Sequence, residues 1–330
     1  MTNRTLFATM SGFVFVFLSL ASWAEQQETL RVDVRLVNLV ATVTDHSGRY
    51  VEGLGTADFI IEDDGVEQEI VHFTQDRNIP VSLGIVLDTS GSMESRMRTA
   101  LAAIERFIGT LHEDDDVFVM TFSGNVALLQ DLTSDRQELS RALRRVRAVG
   151  GTALYDALSE GLAKVYEGRH DKRAVLLLTD GDDTSSDLEF EETLEAVRKS
   201  ELLVYPLGID PTRFGDPSEH VTFDWPLSPI PGAPGLGKSA GGDEDPVDMD
   251  ILRAFAGASG GKAYLVASTW TGGSATEIDV VLDEVSAELR SQYTLGYYPT
   301  TPADGRRHEL RVRTKNGDYV VRARTGYLAP

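Results

Sequence analysis

The chain has 330 residues, 42% of them hydrophobic and 25% charged, with no cysteine. That composition is globular rather than disordered, the length points to one large domain with a smaller companion, and the missing cysteine excludes disulfides, thiolate metal sites and a lipid-modified N-terminal cysteine. A formal net charge of −21 repels phosphate backbones and anionic lipid and draws cations and basic partners, which argues against nucleic-acid binding.

Residues 1–24 read as an export signal. Arg4 supplies a short positive end, GFVFVFLSLA (12–21) an apolar core, and Ser22-Trp23-Ala24 a small-x-small cleavage site before Glu25. An uncleaved anchor is the rival reading, since residues 5–24 are just long enough to span a bilayer. Ser22 and Ala24 favour cleavage. No second apolar segment of that length follows, so the expectation is an exported protein (periplasmic, secreted or surface-held) with no membrane span after cleavage.

Residues 25–78 form a β segment. LRVDVRLVNLVATVTD alternates apolar and polar residues, and ADFIIEDDGVEQEIVHF reads as two strands joined at Asp64-Gly65, a strong hairpin signal. This is too little to stand alone as a sheet. Residues 291–330 offer partners: QYTLGYYP (292–299), RHELRVRT (307–314) and DYVVRARTGY (318–327), the last two joined by Lys315-Asn316-Gly317 as a further hairpin. The expectation is that the two ends pair into one small β-sandwich with an α/β domain, residues 79–290, inserted between them.

Within 79–290, strand and helix signals alternate, which argues for a doubly wound, mainly parallel Rossmann-like sheet. Residues 81–87 are an almost unbroken apolar run, suited to a strand buried on both faces. Asp88, Ser90 and Ser92 follow at once. Their alternating spacing in a tight turn at the carboxyl end of a buried strand gathers one carboxylate and two hydroxyls around a common point, where open α/β sheets hold their ligands. Oxygen-only donors select a hard divalent cation, and a set this sparse suits Mg²⁺, which keeps part of its water shell, with Mn²⁺ or Ca²⁺ as alternatives.

Downstream, residues 94–112 carry apolar residues at helical spacing, VFVMTFS (117–123) is a strand, and VALLQDL (126–132) an edge strand beside it. Arg136 to Val146 is a basic helix leading to Gly150-Gly151-Thr152, which opens another helix over 153–167. RAVLLLTDG (173–181) is a second buried strand ending in Thr179-Asp180-Gly181. A helix over 189–200, a strand over 202–209, a helix ending at Gly260-Gly261, the short strand AYLV and a closing helix over 276–290 complete the domain. Asp210 to Asp250 holds seven of the chain's 12 prolines; a connection that long reads as a mobile insertion at the cation end of the sheet.

Asp88, Ser90, Ser92, Thr152 and Asp180 are the five residues a metal-ion-dependent adhesion site uses, each placed after the right element and in the right order. On these motifs the chain resembles a von Willebrand factor type A domain, the fold also found as the inserted domain of integrins, over roughly residues 79–290. The resemblance implies that Ser90 and Ser92 hold Mg²⁺ directly, Thr152 directly or through water, and Asp88 and Asp180 largely through bridging water or the hydroxyls. It implies a protein partner presenting an Asp or Glu carboxylate to the ion's open position, and a switch in which Thr152 moves together with the closing helix. VEGLGTADFIIEDDGVEQEIVHF, YTLGYYP and the terminal RTGY are similar to exported bacterial proteins with a VWFA-related domain. The plain alternative is a doubly wound domain whose strand-end hydroxyls and carboxylates only cap helices.

Asp182, Asp183 and Asp187 form an accessory acidic rim; their spacing lacks the glycine and distal glutamate of an EF-hand loop. GASGG (257–261) has the spacing of a nucleophile elbow, but Ser259 lies after a helix and before a strand, the inverse of the required context. The six histidines show no metal-ligand spacing. The chain is therefore expected to be a binding module rather than an enzyme. A structural or assembly subunit with metal-independent contacts is the second reading, and a metal-assisted hydrolase a minor third.

Overall fold

The computed structural model describes residues 36–75, 79–180, 183–210, 221–222, 247–267, 277–300 and 304–329. The signal segment and most of the 210–250 insertion lie outside the described residues.

The N-terminal segment forms β1 (Val37–Asp45), β2 (Phe59–Asp63), β3 (Val66–Gln68) and β4 (Ile70–Thr74). Along β1 the alternation works as read: Val37, Leu39, Ala41 and Val43 are all buried. Asp64 and Gly65 take φ of 48° and 79° between β2 and β3, the left-handed pair that a two-residue hairpin demands and Asp-Gly supplies at low cost.

The α/β part runs β5 (Val81–Asp88), α1 (Met97–Thr110), β6 (Asp116–Phe122), β7 (Val126–Thr133), α2 (Arg136–Leu143), α3 (Leu154–Val165), β8 (Lys172–Thr179), α4 (Phe190–Ser200), β9 (Leu203–Asp210), β10 (Val221–Thr222), α5 (Met249–Ser259), β11 (Tyr264–Ala267) and α6 (Glu277–Ser291). Its seven-stranded sheet has the order β10-β11-β9-β8-β5-β6-β7, parallel except for the antiparallel edge strands β7 and β10. β5 sits inside it with all eight residues buried. Leu83, Ile85 and Leu87 face a core shared with Ile104 and Phe107 of α1 and Val281 and Val285 of α6. Val86 faces the opposite core with Leu158 and Leu162 of α3 and Phe255 of α5. Helix layers on both faces explain why the strand reads as a continuous apolar run.

Gly84, like Ser82, interrupts that run of large apolar side chains, and packing explains the glycine. A Cβ there would lie 2.4 Å from Cζ of Phe118. Gly84→Ala is expected to cost about 1–3 kcal/mol through overpacking, read as a lower urea midpoint with an unchanged slope.

The C-terminal segment adds β12 (Tyr293–Tyr297), β13 (Arg307–Thr314), β14 (Tyr319–Ala323) and β15 (Gly326–Leu328). Strands from both ends interleave in two four-stranded sheets, β14-β1-β12-β4 and β15-β13-β2-β3. One apolar cluster joins them, including Leu39, Val43, Phe59, Ile61, Leu295 and Leu310. The ends thus make one β-sandwich. Three details depart from the sequence reading: first, the single strand expected after Asp64-Gly65 splits at Glu69 into β3 and β4, which lie in different sheets. Lys315-Asn316-Gly317 reverses the chain without making a hairpin, because β13 pairs with β2 while β14 pairs with β1 in the other sheet. The single strand expected over 318–327 breaks at Arg324-Thr325, beyond which β15 pairs back onto β13. A turn signal specifies only the reversal; the inward apolar faces choose the partner strands.

A buried polar cluster ties the sandwich to the α/β part. Glu288 of α6 is fully buried and accepts from the Tyr205 hydroxyl of β9 at 2.9 Å and the Thr42 hydroxyl of β1 at 3.3 Å. It also pairs with the Arg322 guanidinium of β14. Only Gln292 separates α6 from β12, and its amide donates to the same Tyr205 hydroxyl at 2.9 Å.

Candidate metal centre

Four loops meet at the carboxyl edge of the central sheet. After β5 the chain enters a 3₁₀ turn over Gly91–Ser95 before α1, which is why that helix starts at Met97. Backbone bonds stitch the loops together. Thr89 donates to Phe122 at the end of β6 (2.7 Å), Gly91 to Gly150 (3.1 Å), Val149 to Thr89 (2.7 Å) and Ala153 to Ser123 (2.6 Å). The loop after β8 closes the ring, since Thr184 and Ser185 donate to the Thr152 carbonyl oxygen at 2.8 and 3.0 Å and the Thr184 hydroxyl accepts from the Thr152 N–H at 3.0 Å. Gly151 permits this approach: a Cβ there would lie 2.5 Å from the Ser185 hydroxyl.

Inside the ring, oxygens converge. The Ser90 and Ser92 hydroxyls lie 2.9 Å apart, and Ser92 donates to Asp180 Oδ1 at 2.8 Å. Asp88 is fully buried; its Oδ1 accepts from the Ser90 N–H and its Oδ2 from the Thr179 hydroxyl, each at 2.7 Å. Burial pushes the Asp88 carboxyl above its ordinary range; hydrogen bonds from Ser90 and Thr179 oppose this and neighbouring Asp180 adds to it. Thr152 is buried on the adjoining loop, and no hydroxyl contact joins it to the other four. Ser92 alone of the five is exposed.

The donor set fits a hard divalent cation. It is all oxygen, it offers two neutral hydroxyls beside two buried carboxylates, and the excess negative charge in a water-poor setting calls for a positive partner. Part of that charge is already met by Arg96, whose guanidinium pairs with Asp180 Oδ2. Sequence reasoning missed Arg96, because nothing in its spacing distinguishes it from any residue opening a helix.

Of the acidic rim, Asp182 lies outside the described residues. Asp183 instead serves a helix, its Oδ1 accepting from the N–H groups of Leu154 and Tyr155 at 2.8 and 3.4 Å. It caps α3 from a distant loop, where the local N-cap residue Ala153 has no side-chain acceptor. Asp187 is exposed. Ser259, in the sequence resembling a nucleophile elbow, is buried; its hydroxyl accepts from Val204 N–H at 3.0 Å and donates to the Ala256 carbonyl at 2.9 Å. It ties α5 to β9.

A second titratable cluster sits in the sandwich. Asp63 of β2 is fully buried. Its Oδ2 accepts from the Tyr297 and Tyr327 hydroxyls, both at 2.9 Å, and its Oδ1 lies 2.9 Å from Nδ1 of buried His308. Asp64 and Asp304 flank the imidazole at 3.7 and 3.4 Å. No histidine motif announces this group; it exists only because β2 and β13 are neighbours.

The sheet order, the strand-end oxygens and their loops define a von Willebrand factor type A domain. Residues 83–182 match the family model of that name, and the chain carries such a domain. Domains of this type commonly serve in protein–protein interaction. An uncharacterised protein of Synechocystis is 32% identical over 146 residues, covering 43% of this chain and 34% of its own length. A UPF0353 protein of Nocardia farcinica is 27% identical over 228 residues, 64% of each chain. The chain therefore spans less than two thirds of either relative. A von Willebrand factor type A structure from Catenulispora acidiphila aligns with a TM-score of 0.48 at 13% identity, covering 89% of this chain and 74% of that one. No helix among the described residues is long and apolar enough to cross a membrane.

Proposed function

We propose that this chain is an exported, Mg²⁺-dependent protein-binding module of the adhesion type. The observation that carries the reading is the convergence of the Ser90, Ser92 and Asp180 oxygens beside buried Asp88. Ser90 and Ser92 would ligate the ion, Thr152 would join them directly or through water, and Asp88 and Asp180 would hold the hydroxyls and bridging waters in place. A bound cation supplies an open position for an outside carboxylate oxygen. Two neutral hydroxyls in the ligand set leave that position receptive, so the partner is a protein presenting an Asp or Glu. In this reading residues 1–24 are the export signal, 25–78 and 291–330 the sandwich, and 79–290 the binding domain.

The test is a capture experiment on envelope and culture-medium proteins with the chain from residue 25 as bait, in Mg²⁺, in EDTA, and as Asp88→Ala in Mg²⁺. Retention of one partner by the unmutated bait in Mg²⁺ alone is expected. The same proteins in all three samples would instead assign the contact to a metal-independent surface.

A further inference from the structure

Arg96 stands outside the five-residue oxygen set yet occupies its acidic end. Its Nη1 pairs with Asp180 Oδ2 and donates to the Ser92 carbonyl oxygen at 2.8 Å. The Arg96 side chain is 13% exposed and that of Asp180 fully buried, so the pair is sheltered from the screening that makes surface ion pairs weak. Asp180 Oδ1 is held at the same time by the Ser92 hydroxyl. One carboxylate thus meets a guanidinium through one oxygen and a proposed ion ligand through the other.

The position of Arg96 makes this pairing informative. It is the N-cap residue of α1 and makes no side-chain cap hydrogen bond. A cation at a helix N-terminus opposes the helix dipole, and Ser, Thr, Asp or Asn would serve the cap better. As a cap of α1 the arginine contributes no side-chain hydrogen bond. Asp180 gains from it, because a buried carboxylate without a positive partner is costly. The backbone root is fixed by the Arg96 N–H donating to the Met93 carbonyl at 2.9 Å.

We propose that Arg96 is a tethered competitor for the divalent cation, sharing the Asp180 carboxylate with it and yielding that carboxylate when the ion enters. This rests on the metal-site reading above. The guanidinium keeps the site neutralised and folded without metal, and it sets the ion affinity lower than the bare oxygen set would give. Ion entry then turns a positive side chain outward at the rim.

Calorimetric titration of the purified full chain with MgCl₂ and MnCl₂ tests this, alongside Arg96→Gln and an Asp88→Ala baseline, with thermal unfolding of each in EDTA and in excess ion. Arg96→Gln is expected to bind the ion about tenfold more tightly. It is also expected to melt below the unmutated chain in EDTA and to recover most of that gap in saturating ion. Equal or weaker binding by Arg96→Gln overturns the proposal, since a positioning role predicts that direction. If neither the unmutated chain nor Arg96→Gln binds more ion than Asp88→Ala, the metal-site reading itself falls. Arg96→Met keeps the alkyl stem and takes the same test if Arg96→Gln fails to fold.

Discussion

Replacing Glu288 by alanine is expected to lower folding stability by about 3–5 kcal/mol, the range for removing one partner of a buried ion pair. The reason lies in what the carboxylate leaves behind. Arg322 would lose its counter-ion, and Tyr205 and Thr42 would lose an acceptor they share in a setting without water access. Glu288→Gln should cost less, because an amide oxygen still accepts from Tyr205. The double change Glu288→Ala with Arg322→Met should recover part of the loss, since the unpaired charge goes with its partner. Urea unfolding of the four proteins checks this; a loss below about 1 kcal/mol for Glu288→Ala would show that water replaces the carboxylate freely. The effect should also be global. α6 passes into β12 through Gln292 alone, and the cluster spans β1, β9, α6 and β14, so one substitution loosens both the sandwich and the closing helix.

None of that cluster is legible in the sequence, and the reason is physical. Periodicity reports which face of an element is apolar, and it places α1, α3, β5 and β8 within a few residues of where they lie. A glutamate inside the closing helix reads as a solvated residue until a strand more than thirty positions later brings an arginine to it. The strand-end oxygens are legible because they follow directly on buried strands, so local spacing fixes their place at the sheet edge. Thr152 is legible for the same reason, through the glycine pair that lets its loop approach Ser185. Asp183 reads as rim in the sequence because its actual role, capping α3 across loops, depends on the order of strands. Arg96 and the Asp63 cluster stay hidden the same way: each is a contact between segments far apart in sequence, and pairing across sheets carries no short-range signature.

The Asp63 cluster yields the second large effect. Asp63→Ala is expected to cost about 3–5 kcal/mol, because two buried tyrosine hydroxyls and a buried imidazole lose their common acceptor together. The same cluster makes stability depend on pH through His308. Burial works to lower the His308 pKa, but the hydrogen bond and charge of Asp63, aided by Asp64 and Asp304, outweigh it and the net direction is upward. A histidine whose folded pKa is raised contributes stability that is fully present below its unfolded value of about 6.5, and that contribution is lost as pH rises through the folded pKa. Tyr297 and Tyr327, the other groups against the carboxylate, are pushed further up by burial and by Asp63, so they stay protonated through this window and hold the acceptor in place. The stability difference between the unmutated chain and His308→Gln should therefore be largest near pH 6 and narrow toward about pH 9, measured as urea midpoints across that range. A gap that stays flat, or widens as pH rises, would mean that the imidazole is neutral throughout and serves Asp63 only as a hydrogen-bond donor. The clasp joins β2 of the N-terminal segment to β13 of the C-terminal segment, so loss of this pair should weaken the sandwich where these two strands pair and leave the cation loops, which are stitched by backbone bonds of their own, in place.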